Sequence, residues 1–532
     1  MNTDNVISFF ENEYPLIKIF KYGNEILIYD AKPHFAFIIS HKEIDVLIDF
    51  LRETPEAEII KRHSMQFRAE DSKQLVAKFK ELTGCGVFIK GPVAEISPVD
   101  RNAIKEQLMY YDTNLLLRKF CLEVTENCNF ACTYCKRTIA TKHENQLRSN
   151  LREEKAYKGI DYYFTKYITF FTKLSKEKKE LLLQIAPPSL SWYGGEPFLN
   201  FNLIKKSGEY FKNLPWANYG ISVSNLRFTA NTNLSIMNDE ILNFLVDNKV
   251  ALFASLDGPA EEHNKCRIFI NGEGTFATAY SNLLKIKEFN TAYFQEKVSI
   301  FGVYTEKHDY GKCIAFTKNI GALVCKHFPA EYAGVFVSNY GATLQYYKKA
   351  LESNLQEFKK RVLLEIENVE MDYFSNLFAF AKLNYDHPMG ENSLKLLLTC
   401  PMGFDNVMVA ANGDFLICHK VDGSMPIGDC DLGLDYEKLI DLNQHYNSVI
   451  NNDECKNCWN VNFCSECGAS RMVDNHFINP TKKECDLFRW RADYNFSCFI
   501  HLSLEHPDLL EKIFAHRNDQ KNFIGIIDIN EF

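Results

Sequence analysis

The sequence predicts an α/β protein in which βα units build a parallel sheet, preceded by a small α+β module and followed by a cysteine-rich region. Three observations carry that prediction. From Leu117 onward, β-prone segments alternate with helical ones, the order that lays strands side by side with helices packed across them. The first hundred residues run differently, with short strands first and helices after. Eight of the 17 cysteines, finally, are crowded between Cys400 and Cys485. These shifts divide the chain into a module over 1–100, an α/β region over 101–330, a helical connector over 331–395 and a cysteine-rich region over 396–532.

In the first module, Leu16 to Phe20, Ile26 to Tyr29 and Ala36 to Ile39 read as short strands, and Glu43 to Leu51 and Asp71 to Leu82 carry helical patterns. Strand-like Val87 to Ile89 closes the module, and Gly91-Pro92 reads as a turn. It is too small for a catalytic domain and suits an accessory or docking unit, winged-helix-like or peptide-recognising. In the α/β region, Cys121 to Thr125, Ser189 to Trp192, Leu226 to Ala230, Val250 to Ser255 and Val298 to Val303 supply strands. Glu154 to Leu174, Asn202 to Asn213, Asp239 to Asn248 and Ala277 to Lys287 supply helices. Polar and glycine-rich groups follow the strands, where ligands bind in such folds. Leu344 to Lys360 and Val362 to Leu383 read as helices of a packing bridge.

Of the 532 residues, 46% are hydrophobic and 24% charged, which excludes a mainly disordered or collagen-like chain. A net charge of -9 removes diffuse attraction to nucleic acid or to an anionic membrane. No stretch approaches the roughly 18 to 20 apolar residues of a membrane span, and the first thirty residues lack a secretory pattern. The expectation is a cytoplasmic protein without membrane or nucleic-acid partners. In that compartment thiols serve as metal or cluster ligands more readily than as a disulfide framework.

The segment Cys128-Asn129-Phe130-Ala131-Cys132-Thr133-Tyr134-Cys135 puts three thiols on one loop just after a predicted strand. Such spacing folds around a cubane, supplying three iron ligands and leaving the fourth iron open to a cofactor. A zinc loop completed by His143 is the competing reading, although paired two-residue knuckles are the usual zinc spacing. Trp192-Tyr193-Gly194-Gly195-Glu196-Pro197-Phe198 follows the next strand, with glycines that permit close backbone approach and a carboxylate for a ligand ammonium. An ordinary loop would look the same. Thr229-Ala230-Asn231-Thr232-Asn233 and Ser255-Leu256-Asp257-Gly258-Pro259 end the two strands after it.

With these motifs in this order, the chain resembles the radical S-adenosylmethionine enzymes, and among them the peptide maturases with a C-terminal SPASM domain. The resemblance covers about residues 117 to 300 and 400 to 490. It implies a partial (β/α)6 TIM-like barrel between a leader-binding-like N-terminal domain and the SPASM domain. Cys128, Cys132 and Cys135 would hold a [4Fe-4S] cluster, and Gly194, Gly195 and Glu196 would lie near the methionine amino group of S-adenosylmethionine. Asn233 and Ser255 would lie near its carboxylate or ribose, Asp257 would shape the same strand end, and Arg267 would be a carboxylate partner.

Two CxxC pairs, Cys455/Cys458 and Cys464/Cys467, would alone suggest four-thiolate zinc, leaving Cys400, Cys418 and Cys485 unexplained. The SPASM resemblance instead implies two auxiliary [4Fe-4S] clusters, one on Cys400, Cys418 and Cys467 and one on Cys455, Cys458, Cys464 and Cys485. Only Ser465 and Glu466 separate Cys464 from Cys467, one residue fewer than the family commonly has. The first auxiliary cluster is one ligand short. An open or substrate-ligated iron is the favoured reading, and of the spare cysteines Cys430 is better placed than Cys498.

The implied chemistry is one-electron cleavage of S-adenosylmethionine, fed by ferredoxin or flavodoxin, with the resulting 5'-deoxyadenosyl radical removing a substrate hydrogen. The N-terminal module points to a ribosomally made precursor peptide, whose leader it would seize by strand addition, and to thioether or carbon-carbon cross-linking. Formylglycine formation in a sulfatase, epimerisation and a non-catalytic iron-sulfur scaffold are the alternatives. Asp414 and His419 are candidates for a proton step through nearness to Cys418 only, so no catalytic side chain is assigned. The sequence does not indicate an oligomeric state.

Overall fold

The computed structural model describes residues 3–22, 25–33, 35–92, 100–135, 148–305, 307–329, 403–421, 425–450, 452–461, 464, 468–473, 476–482, 484–486, 488–490 and 492–493. The predicted connector and Cys400, Cys467 and Cys498 lie outside them.

In the N-terminal module, helix Thr3–Glu13 leads into β1 (Ile17–Tyr22), β2 (Glu25–Asp30) and β3 (Phe35–Ser40), an antiparallel meander. Helices Glu43–Leu51, Glu56–Arg62 and Ala69–Gly84 follow. The strands are apolar on both faces, and both faces are used. Ile17, Ile19, Ile26, Ile28 and Ile39 pack with Ile44, Leu47, Val76 and Phe79 of the module's own helices. On the other face Leu16, Phe20, Leu27, Tyr29 and Ala36 pack with Trp459 and Ala492 of the cysteine-rich region. The Phe20 and Trp459 rings meet edge to face at 6.1 Å, and Lys18 Nζ lies 5.4 Å over the Trp459 ring and 3.4 Å from Asp493.

The segment Val87 to Ile89 is not a strand. Phe88 takes a left-handed conformation (φ 64°), so its N–H turns inward and donates to Asp30 Oδ2 at 2.8 Å, while Oδ1 accepts the Lys32 N–H at 3.0 Å. Burial outweighs these bonds and pushes the Asp30 carboxyl from 3.8 up to about 6. The folded chain therefore holds this proton where the unfolded chain has lost it. Stability from this group is present below pH 3.8 and is lost as pH rises to about 6. The expected loss is about 3 kcal/mol, checked by comparing the pH dependence of Tm in the full chain with that of Asp30→Asn, which should lack this decline.

The α/β region forms the six-stranded parallel array of a partial barrel: β4 (Lys119–Thr125), β5 (Ser189–Gly194), β6 (Arg227–Thr232), β7 (Ala251–Ser255), β8 (Val298–Tyr304) and β9 (Val324–Pro329), neighbours in that order. Helices Glu153–Thr172, Phe201–Asn213, Asp239–Asp247, Phe276–Phe289 and Tyr310–Lys318 lie in the crossovers. One sheet face, with Phe120, Leu122, Leu190, Trp192, Phe228, Leu252 and Ile300, is fully or nearly fully buried against the helices. The period of two turns the alternate residues to the opposite face. There the register aligns Cys121, Ser191 and Thr229 in one row and Asn231, Phe253 and Ser299 in another. The Ser191 and Thr229 hydroxyls bond at 2.7 Å, and the Phe253 and Phe301 rings lie 4.8 Å apart. This inner face is a polar wall with one aromatic patch.

The cysteine-rich region begins as part of the same sheet. β10 (Asn406–Val409) pairs parallel with β4, and β11 (Asp414–Leu416), β12 (Gly428–Asp429) and β13 (Gly433–Leu434) continue antiparallel, so ten strands share one sheet. Helix Tyr436–Ile450, short helices Asp453–Lys456 and Gly468–Arg471, and the β14 (Met472–Val473) and β15 (His476–Phe477) hairpin complete it. Among the described residues no helix is long and apolar enough to cross a membrane.

Candidate active site

The singled-out loops meet at the C-terminal ends of β4 to β7. The three-thiol loop leaves β4 and is pinned by backbone bonds to the segment after β7: Ala131 N–H donates to Ile268 O at 2.7 Å and Thr133 N–H to Cys266 O at 3.0 Å. Phe130 and Phe269 lock edge to face at 5.1 Å. Cys128, Cys132 and Cys135 thus share one apolar group with Phe130, Tyr134 and Cys266. Burial pushes the Cys128 thiol up to about 11 and the Cys132 thiol up to about 12, the latter against the opposing pull of Arg267. Cys128 Sγ accepts the Phe130 N–H at 3.5 Å and the Asn233 side-chain amide at 3.6 Å. Thiolates buried this way need a compensating cation, and metal binding supplies it while releasing the protons. Three convergent soft ligands with two N–H donors on one sulfur fit an iron-sulfur cluster.

The two glycines serve this loop directly. A Cβ on Gly194 would stand 2.2 Å from Thr125 O, and one on Gly195 2.2 Å from Asn127 O. Their absence lets Gly195 N–H reach Thr125 O (2.9 Å) and Glu196 N–H reach Asn127 O (2.8 Å), which splices β5 to the root of the thiol loop. Glu196 is fully buried. Its carboxylate accepts the Phe198 N–H (3.1 Å), the Thr232 hydroxyl (3.0 Å) and the Asn233 N–H (2.6 Å). Burial nevertheless pushes it up to about 7. Asn233, at the end of β6, also donates to Asn129 Oδ1 at 3.1 Å, and Ser235 Oγ donates to the same oxygen at 3.0 Å. Ser255 is half-buried at the end of β7.

Arg267 is 6% exposed, its Nε 2.9 Å from Asp257 Oδ1 and its guanidinium 5.4 Å from the centre of the Tyr134 ring. Burial would raise the Asp257 carboxyl, but Arg267, His263 and the Val303 N–H together hold it below its ordinary value. Tyr134 OH donates to Asp257 Oδ2 at 2.8 Å. Neither this bond nor the supporting roles of Asn129 and Thr232 were singled out from sequence. Position within the quoted motifs is the one local signal they carry.

In the cysteine-rich region, Cys418 follows β11 and its Sγ accepts the Lys420 N–H at 3.1 Å. The next residue, His419, lies against Tyr193 of β5, ring centres 5.1 Å apart, directly before the two glycines. Asp414 instead lies on β11, bonded to the Asn412 side chain. Cys430 directly follows β12. It is buried beside Gly159, and its N–H donates to Gly413 O, at the opposite end of the β11–β12 pair from Cys418. Cys455, Cys458, Cys464 and Cys485 do come together. Burial pushes Cys455 up to about 12, reinforced by Cys464, Cys485 and Cys458, and Arg489 Nη1 lies 3.8 Å from Cys458 Sγ. A buried Arg471–Glu484 fork (2.8 and 3.1 Å) braces the residue before Cys485. Among the described residues no set of three or more Cys, His, Asp or Glu is closed to the dimensions of a single metal ion.

The class follows from fold and loop together. Residues 122–311, from β4 into the helix after β8, match the model of the radical SAM superfamily, and the chain carries a radical SAM domain. Two curated proteins are similar. Uncharacterized protein MJ0907 of Methanocaldococcus jannaschii is 25% identical over 174 residues, 33% of this chain and 50% of that one. Radical SAM cyclopropyl synthase TigE of Paramaledivibacter caminithermalis is 22% identical over 403 residues, 72% of this chain and 75% of that one. The first match thus spans half the relative's length. Among solved structures, anSMEcpe with bound AdoMet and Cp18Cys peptide shares the fold, with TM-score 0.51 and 18% identity over 72% of this chain and 98% of that one.

Proposed function

We propose that this protein modifies a ribosomally made precursor peptide, cross-linking it through a carbon-carbon or thioether bond. The observation that carries the reading is the convergence of Cys128, Cys132 and Cys135 on one buried loop at the strand ends that also gather Glu196, Asn233 and Ser255. A [4Fe-4S] cluster on those thiols, together with S-adenosylmethionine, supplies one-electron chemistry able to take a hydrogen atom from an unactivated C–H bond. The chain's own work is placement and exclusion of competing hydrogen donors. Asn233 and the Phe130 N–H steady the Cys128 sulfur, and the Ser191, Thr229 and Asn231 wall faces the substrate. Cys455, Cys458, Cys464 and Cys485 would hold one auxiliary cluster. Cys418, with Cys400 and Cys467, would hold the other.

A peptide substrate is supported by the N-terminal module, whose β3 forms a sheet edge beside which a leader strand can be added. The similar TigE is named a cyclopropyl synthase, and closing such a ring makes carbon-carbon bonds, which favours that linkage over thioether. Ferredoxin or flavodoxin would deliver the electron in the cytoplasm. The test is anaerobic co-expression with short open reading frames beside the gene, read by mass spectrometry. Loss of two hydrogens from one peptide, located by fragmentation, is expected. Peptides left unchanged while 5'-deoxyadenosine accumulates would remove the reading.

A further inference from the structure

We propose that Tyr134, Asp257 and Arg267 form a lock that holds the Cys132 to Cys135 arm of the thiol loop against the ends of β7 and β8, with Arg267 a positioning residue for the loop rather than a contact for a ligand carboxylate. The proposal rests on the radical S-adenosylmethionine reading of that loop and adds to it. Tyr134 lies between two of the three thiols, and its hydroxyl reaches 123 residues along the chain to Asp257 Oδ2 at 2.8 Å. The other carboxylate oxygen accepts the Val303 N–H of β8 at 2.7 Å and stands 2.9 Å from Arg267 Nε. Arg267 in turn covers the Tyr134 ring. One carboxylate therefore ties the thiol loop, β8 and the segment after β7 to a single point.

That point is enclosed on every side. Asp257 is fully buried, and its N–H donates to His263 Nδ1 at 3.3 Å. His263 Nε2 lies 3.0 Å from Thr275 Oγ1, which donates to Arg267 O at 2.9 Å. A guanidinium drawn away toward a ligand would strand a buried carboxylate, a cost that favours keeping the pair closed. The pair is neutral overall, and its guanidinium lies over Tyr134, between Cys132 and Cys135 in the chain, so a charge left unbalanced there stands beside the thiol loop. Net charge and hydrogen bonding around a cluster set its reduction potential, so the lock governs how easily the three-thiol cluster is reduced as well as where its loop lies.

The test uses the full chain, reconstituted anaerobically, with redox titration of the three-thiol cluster followed by electron paramagnetic resonance. Asp257→Asn leaves the guanidinium unbalanced and should move the midpoint potential upward. Arg267→Met should move it downward, Arg267→Lys should restore it, and the Asp257→Asn/Arg267→Met double variant should return near wild type, because the two opposite charge changes cancel. Tyr134→Phe keeps the ion pair and guards against misfolding of the others. It should lose iron to a chelator about tenfold faster, with affinity for S-adenosylmethionine little changed. Unchanged potentials and iron retention, with cofactor affinity falling in Arg267→Met, would overturn the lock and return Arg267 to the ligand. Wild-type chain that takes up no iron on these thiols would overturn the radical reading itself, together with the lock.

Discussion

Cys128→Ala is expected to bring reductive cleavage of S-adenosylmethionine down to background and to remove the iron of the three-thiol loop. Two remaining thiols cannot hold three irons of a cubane, and among the described residues the loop has no further thiol to replace the lost one. Cys266→Ala is the informative contrast, because Cys266 shares the same apolar group. Its contribution to the loop is a carbonyl that accepts the Thr133 N–H, and its thiol lies 3.7 Å from the Thr305 hydroxyl. Removing that thiol trims a small buried side chain at a cost of about 1 kcal/mol and should leave the iron in place. Iron and sulfide analysis with a 5'-deoxyadenosine assay separates the two; equal loss in both variants would show that the loop is not the iron site.

Gly195→Ala should be nearly as damaging, although this residue offers no side chain to any ligand. The added carbon would sit 2.2 Å from Asn127 O and 2.5 Å from Asn127 C, both backbone atoms that no rotamer can move aside. Relief requires separating β5 from the root of the thiol loop. That breaks the Gly195 to Thr125 and Glu196 to Asn127 bonds and pulls Glu196 away from Thr232 and Asn233. A cost of about 3–5 kcal/mol follows from overpacking together with lost buried hydrogen bonds. Mössbauer spectra should show the three-thiol iron depleted while the Cys455 group keeps its own. Full iron at both sites would mean that the close approach is not required.

The barrel was legible because its strands β4 to β8 are apolar on the helix side and stand between strong helical patterns. β9 was not, since Lys326 and His327 interrupt the apolar run from which a strand is read. β10 to β13 span only two to four residues each, below the length at which a period of two can be recognised. Val87 to Ile89 misled for the opposite reason: the residue types suit a strand, but the inward N–H bond to Asp30 needs a turn. The thiol loop announced itself by spacing. The partners that hold it did not, because Asp257 reaches Tyr134 across 123 residues and no local pattern encodes that meeting.

On the proposed reading of the Cys455 group as an iron-sulfur site, the shared face between Trp459 and the first three strands would tie the supply of iron to the survival of the polypeptide. Trp459 is the neighbour of Cys458, so a chain whose four-cysteine segment has nothing to fold around loses the cover over Leu16, Phe20, Leu27 and Tyr29. Bared aliphatic and aromatic surface of that kind invites self-association and proteolytic clearance. Cells starved of the metal would then hold little of this protein, rather than a reserve of inert copies awaiting repair.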